Sequence, residues 1–282
     1  MRRPTDRLAS LFYAASGGRR RSKAIGRLSD VALPRPVLER AMAAYRAAFG
    51  ISMDDVVVPP GGFRTFNEFF TRRLRPDARP VDPDSAVVTS PADGRILAQG
   101  TVERGRLLQA KGQEYAIGRL LCDEHLCARL EGGPFVSIYL SPRDYHRVHF
   151  PCGGRVVGSS YAPGRLLTVA PRAVASVDSL LATNERITTI VEGDLGLAAI
   201  VMVGAVGVGR ITMTYGGLRT NADRVAESVS FDPPVPCAKG DELGVFNLGS
   251  TVVLALGPGA WTPLVAGPGT VLRMGQPLFR RG

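Results

Sequence analysis

From about residue 86 onward, apolar residues fall in short runs broken by Gly, Pro, Asn and Asp, a pattern of strands and tight turns. Such runs occupy 86–89, 95–99, 135–140, 155–157, 198–203, 210–214 and 252–256. Two uncharged stretches, 195–209 and 247–272, are long enough to raise the question of a membrane span. The first is short of the ~20 apolar residues a span requires. The second is interrupted by Gly257-Pro258-Gly259, Pro263 and Gly267-Pro268-Gly269, so both are expected to be buried β-structure. The N-terminal region follows a different period. Leu8, Leu11 and Phe12 sit at helical spacing before Gly17-Gly18, and Leu38, Met42, Tyr45 and Phe49 share one face of a helix expected over 36–49. Residues 171–184 are expected to form one helix or turn. No repeat of 20–50 residues is visible.

Composition refines this picture. Hydrophobic residues make up 45% and charged residues 21%, which excludes a disordered, collagen-like or coiled-coil chain. With Gly 33, Pro 21 and only 7% aromatics, the expected class is α+β. A basic helical segment, 1–60, precedes a β-dominated, sandwich-like body, 61–282, with no linker between independent domains after residue 60. The net charge of +10 is concentrated at the start, where residues 1–50 hold eleven Lys/Arg against three acids. A basic arm on a near-neutral body suits an anionic surface, lipid or nucleic acid. Sparse aromatics in the arm argue against single-stranded nucleic acid, while short basic amphipathic helices suit the headgroup layer of a bilayer. For 36–49, packing on the chain's own body is the equal alternative. Four cysteines make no disulfide framework and no signal peptide is read, so reduced thiols in a cytoplasmic protein are expected.

Three places carry candidate chemistry. His146 and His149 lie in Asp144-Tyr145-His146-Arg147-Val148-His149, and imidazole exchanges a proton near neutrality, so the pair offers a base and a proton donor. A metal site would need further ligands, and Cys122-x-x-His125-x-Cys127 lacks a standard zinc spacing; His125, between leucines, is expected to be packed. Asp93, in Ser90-Pro91-Ala92-Asp93-Gly94, is either turn chemistry or a carboxylate that orients a histidine. Finally, Leu248-Gly249-Ser250-Thr251 sets a hydroxyl beside a glycine whose carbonyl can be approached closely. It is a strand bulge or a self-attacking serine, and Val252 rules out the G-x-S-x-G elbow. The glycines of 203–209 precede a strand, not a helix, so a dinucleotide site is rejected.

Taken together, these segments resemble the phosphatidylserine decarboxylase family, pyruvoyl-dependent enzymes that make their own cofactor. The resemblance runs through Phe66-Asn67-Glu68-Phe69-Phe70-Thr71-Arg72-Arg73-Leu74, Ala78-Arg79-Pro80 and Ser90-Pro91-Ala92-Asp93-Gly94. It continues through the His146/His149 run with Tyr139-Leu140-Ser141-Pro142 before it, Asn184-Glu185-Arg186, Lys239-Gly240-Asp241-Glu242-Leu243-Gly244 and Leu248-Gly249-Ser250-Thr251, covering roughly residues 60–256 in order. Val206-Gly207 replaces a polar pair of the family.

The resemblance implies a catalytic body in which Asp93, His149 and Ser250 form a self-cleavage triad. Asp93 would orient His149, which takes the proton of Ser250; the serine oxygen attacks Gly249, the cleavage partner, and Ser250 becomes a covalent pyruvoyl group (the cofactor pyruvate). Two associated chains would result. Decarboxylation of phosphatidylserine to phosphatidylethanolamine and carbon dioxide would follow through a Schiff base, with His146 positioning substrate or delivering a proton. No metal is implied. The resemblance further implies peripheral attachment to an anionic membrane on the cytoplasmic side, with a homodimer compatible and nucleic acid excluded as partner. The readings set against it are a pyruvoyl enzyme for another amine and a lipoyl- or biotinyl-like β scaffold, which would need a lysine on an exposed hairpin.

Overall fold

The computed structural model describes residues 19–110, 113–206, 210–218, 220, 225–247 and 250–282. The expected helix around Leu8–Phe12 and the cleavage partner Gly249 lie outside these residues. In chain order the elements begin with α1 (Arg19–Ser29), α2 (Arg35–Phe49), β1 (Val56–Val57), α3 (Phe66–Phe70) and β2 (Arg73–Leu74). They continue with β3 (Val87–Thr89), β4 (Gly94–Thr101), β5 (Arg106–Ala110), β6 (Gln113–Ala116), α4 (Ile117–Leu121), α5 (Glu124–Leu130) and β7 (Pro134–Leu140). Next come β8 (Arg147–His149), β9 (Gly154–Ala162), α6 (Pro171–Val174), α7 (Leu180–Thr183), β10 (Arg186–Gly193), β11 (Gly196–Gly204) and β12 (Ile211–Met213). The last are β13 (Glu227–Cys237), β14 (Glu242–Phe246), β15 (Ser250–Leu256), β16 (Trp261–Pro263), β17 (Val271–Leu272) and β18 (Pro277–Arg281).

The body is built on an eight-stranded sheet in the order β13-β9-β10-β11-β15-β7-β4-β17, every pairing antiparallel. Alternate side chains of one strand enter two different cores. Ile138, Leu140, Val252, Leu254 and Met202 face one cluster, which the small sheets β12-β14-β8 and β16-β18-β3 cover with Val148, Phe246, Val88 and Phe279. Phe135, Val253, Ala255 and Val201 face the other, closed by Leu120, Leu121, Leu126 and Leu130 of α4 and α5 and by Leu180 and Leu181 of α7. Burial on both faces explains why β11 and β15 read as continuous apolar runs. Among the described residues no helix is long and apolar enough to cross one. This layered arrangement is the α+β body with a helical N-terminal piece that the sequence predicts.

Helix α2 starts after Pro34, with Pro36 in its first turn, and stops at Gly50, whose φ of 65° permits the left-handed cap that donates to Arg46 O. Its expected face packs inward: Leu38 is buried and Tyr45 meets Phe66 edge-on, with ring centroids 5.0 Å apart. Phe49 stays 41% exposed. Where one helix or turn was expected over 171–184, α6 and α7 are two single turns, separated where Ser179 adopts φ 51°. His125 is a correction. It stands exposed on α5, because Leu126 and Leu130 take that helix's buried side.

Candidate active site

The site gathers where β3 hands over to β4. Ser90 fastens this turn by donating its Oγ to Ala92 O at 2.8 Å and its N–H to Gln276 O at 2.7 Å. Gly94 then passes so close to β7 that a Cβ there would lie 2.4 Å from Tyr139 O; only glycine fits. Asp93 is thereby held inward, 6% exposed. Its Oδ1 accepts from Arg79 Nε at 2.8 Å and from the Met274 N–H at 2.9 Å, and its Oδ2 accepts from Arg79 Nη2 at 2.6 Å. A bidentate guanidinium fork of this kind fixes the position and orientation of the carboxylate.

The two histidines diverge. His149 ends β8, and its N–H donates to Pro91 O at 2.8 Å, which fixes it beside the turn that carries Asp93. Its ring Nδ1 is 2.7 Å from Gly240 O. A carbonyl can only accept, so Nδ1 carries the hydrogen and Nε2 keeps its lone pair, facing Tyr145 OH at 3.3 Å. Gly240 holds φ 89° in the Lys239–Asp241 turn, with Val81 Cγ2 2.9 Å from where a Cβ would sit. Burial lowers the His149 pKa, opposed by the Gly240 bond and by the charges of Glu242 and Asp93.

His146 lies just before β8 and is completely buried. Its Nδ1 donates to Asp144 O at 2.8 Å, and its ring stands 4.1 Å from that of Phe70. Nε2 is buried without a hydrogen-bond partner among the described residues. Burial pushes the pKa of this imidazole down to about 3, Arg72 adding to the fall. At neutral pH it is an uncharged ring with a free lone pair.

Ser250 is the first residue of β15, a strand deep inside the sheet. It pairs with Gly204 of β11 on one side and Leu140 of β7 on the other, and it is fully buried. Its Oγ, too, has no hydrogen-bond partner among the described residues. A buried hydroxyl left unpaired is costly and uncommon. Just upstream, Phe246 N–H donates to His146 O at 3.0 Å, tying the approach to Ser250 to the histidine segment.

The structure thus brings Asp93 and His149 to one turn and ties the backbone of His146 to the strand leading to Ser250, but it does not link the side chains of Asp93, His149 and Ser250 through hydrogen bonds. The carboxylate is held by Arg79, and the group orienting His149 is the Gly240 carbonyl. Arg79, Gly240, Tyr145 and Phe70 had been given no role from sequence. Of these, only the Tyr145 proximity, four residues before His149, was open to a local reading.

Two hollows adjoin the site. A cleft of about 290 Å³ reaches Asp93 and Arg79 and is flanked by Arg72, Arg143, Asp144 and Arg273. An apolar hollow of about 440 Å³ lies between α1, α2 and α3, lined by Ile25, Leu28, Leu38, Tyr45, Phe66 and Phe70 among others. Phe70 belongs both to this hollow and to the wall of His146.

Asp93, His146, His149 and Ser250 thus give this part of the body a fixed carboxylate, two neutral imidazoles and a buried hydroxyl with no partner among the described residues. Residues 66–280 match the family model described as phosphatidylserine decarboxylase. The phosphatidylserine decarboxylase proenzyme of Anaeromyxobacter sp. (strain K) is 45% identical over 265 residues, covering 91% of this chain and 92% of its own. That of Bordetella avium is 41% identical over 266 residues, with 91% and 89% covered. That of Myxococcus xanthus is 40% identical over 237 residues, with 84% and 85% covered. The chain belongs to the phosphatidylserine decarboxylase family, and it is an enzyme of that type.

Proposed function

We propose that the chain cuts itself before Ser250 and then decarboxylates phosphatidylserine to phosphatidylethanolamine at the group so formed. The observation that carries this reading is the buried Ser250 Oγ, without a partner among the described residues, at the head of a central strand and directly after a glycine in the sequence. With Nδ1 committed to Gly240 O, His149 offers Nε2 as the base for the serine proton. To do so it exchanges Tyr145 OH for Ser250. Asp93, kept in place by Arg79, supplies the negative field that favours the imidazolium. Attack of Oγ on the Gly249 carbonyl turns the peptide into an ester; elimination, tautomerisation and hydrolysis with loss of ammonia leave a ketone on residue 250.

The buried position of Ser250 fits a pyruvoyl group, which would supply a ketone able to condense with the substrate amine and to act as an electron sink as carbon dioxide leaves. His146, uncharged and with Nε2 free, is the group to position the substrate or move a proton at the reacting carbon. The relatives' name, proenzyme, supports self-processing.

Access of a bilayer substrate is read from the N-terminal piece. Ile25 and Leu28 line the apolar hollow and are exposed, Val31, Val37 and Phe49 are further exposed apolar residues of the N-terminal piece, and Phe70 of the hollow abuts His146. Acyl chains in the hollow and a headgroup toward His146 suit peripheral attachment on the cytoplasmic side of the membrane. Denaturing intact mass of freshly purified protein, beside Ser250→Ala, tests the reading. Two pieces parting between Gly249 and Ser250, the shorter with a blocked N-terminus, are expected from the natural sequence and a single 30.0 kDa chain from the variant. An uncut natural chain would refute it.

A further inference from the structure

Four polar residues from distant parts of the sequence, Asp30, Asn67, Arg210 and Asn247, meet just upstream of the cleavage junction. Asn67, in the first turn of α3, is 8% exposed and directs its Nδ2 at two acceptors, Asp30 Oδ1 at 2.9 Å and Asn247 Oδ1 at 2.9 Å. Asn247, also 8% exposed, sits three positions before Ser250. Its own Nδ2 donates to Arg210 O at 3.0 Å, and its backbone N–H donates to the same carbonyl at 2.9 Å. Arg210 in turn pairs its Nη1 with Asp30 Oδ2 at 3.0 Å. The circuit is closed, and it fixes both amide orientations: Asn67 must present NH2 to two oxygens, and Asn247 must present NH2 to a carbonyl.

The position of this circuit matters more than its size. Asp30 directly follows α1, the helix that offers Ile25 and Leu28 to the apolar hollow. Asn247 directly follows β14, and the next described residue is Ser250. Asp30 at the end of the N-terminal helix is therefore joined to Asn247 twice, directly through the Asn67 amide and around through Arg210. We infer that Asn67 and Asn247 are positioning residues for self-cleavage, and that seating of α1 through Asp30 sets the junction in register for attack. Neither touches the reacting atoms. Asn247 holds the chain entering Gly249 at a fixed height against Arg210, and Asn67 locks Asn247 and Asp30 together. An acyl shift is sensitive to such placement, because a misplaced carbonyl loses the near-attack geometry.

This inference rests on the self-cleavage reading, and the experiment separates the two. Chain cleavage is followed by denaturing gel and mass after synthesis of the full chain in a cell-free system, for the natural sequence, Asn67→Ala, Asn247→Ala, the double variant and Asp30→Ala. Each single asparagine variant is expected to mature about tenfold slower, equal to ~1.4 kcal/mol in the barrier. The double variant is expected to be no slower than the worse single, because the two act as one unit. Asp30→Ala, at an exposed position, is expected to slow cleavage severalfold, while Asp30→Ala in the Ser250→Ala chain melts normally. Hydroxylamine, which opens an ester, should not restore the rate, because the defect precedes ester formation. Cleavage of Asn67→Ala or Asp30→Ala at the natural rate would overturn the inference and leave the self-cleavage reading intact, and so would multiplicative effects of the two asparagines. A natural chain that never cuts would bring down the reading itself.

Discussion

The sharpest physical consequence of the site is a loss of stability in acid caused by His146. This imidazole is fully buried, packs on Phe70, and is pushed down to about 3. In the unfolded chain it titrates near ~6.5. Above that value both states carry a neutral ring and pH has no effect through this group. As pH falls below it, the unfolded chain takes up a proton that the folded one refuses, so folding weakens by ~1.4 kcal/mol per pH unit until the folded value is reached. Between pH 7 and pH 5 the loss from this residue alone is about 2 kcal/mol. The perturbation to use is His146→Asn, which retains an N–H near Nδ1 for Asp144 O and cannot titrate. Both chains should carry Ser250→Ala, so that each unfolds as one uncut polypeptide. Urea unfolding at pH 7 and pH 5 gives the two free energies, and contributions from His149 and the carboxylates cancel in the difference. The His146 chain should lose about 2 kcal/mol more than the His146→Asn chain. Equal losses would show that the ring accepts a proton in the folded state, and its role as an uncharged group in the site would fall with that result.

Other consequences can be checked separately. Tyr145→Phe removes a hydroxyl that bonds the neutral form of His149 through Nε2, so the acid limb of the cleavage pH profile should move to higher pH; an unmoved limb would deny the contact. Gly94→Ala places a methyl 2.4 Å from Tyr139 O and 2.8 Å from Ile138 Cγ2, and should cost about 3 kcal/mol or more in unfolding measurements. Leu28→Glu, at a side chain 66% exposed beside the apolar hollow, should reduce co-sedimentation with anionic vesicles severalfold without lowering the melting temperature. His146→Ala should mature normally yet turn over phosphatidylserine at least tenfold more slowly, as measured by carbon dioxide release.

What the sequence disclosed depended on how local the cause was. β11 and β15 could be read because burial on both faces leaves an uninterrupted apolar run, and α2 because prolines open it and Gly50 closes it. β13 was hidden by Pro233, Pro234 and Pro236, which weigh against a strand. It exists because it lies at the sheet's edge, where a missing N–H breaks no inner ladder. Helices α4 and α5 were missed although Asp123 caps α5 by accepting from the Leu126 N–H. The residue types of the site were visible as well, but their bonding was not. The group that sets the tautomer of His149 is a backbone carbonyl of residue 240, and the group that holds Asp93 is an arginine on another loop. Neither relation leaves a spacing pattern, since both are made by chain segments meeting in three dimensions.

If the chain is cut before Ser250 as proposed, the position of that residue answers a difficulty any self-cleaving enzyme meets, which is how to break its chain without releasing the shorter piece. Residues 250–282 do not form a separate lobe. They supply β15, paired on both sides within the large sheet; β17, which pairs with β4 next to Asp93; and β16 and β18, of which β18 pairs with β3. Strands of the longer piece would therefore flank the shorter one in two sheets. Its apolar residues Val252, Leu254, Leu272, Leu278 and Phe279 sit in the same core as Ile138 and Ile200. Separation would require opening the central ladder and exposing that core, which amounts to unfolding the body. A break at the head of β15 removes one peptide bond from a place the sheet already holds on both sides. The new chain end would then stay buried where Ser250 is buried.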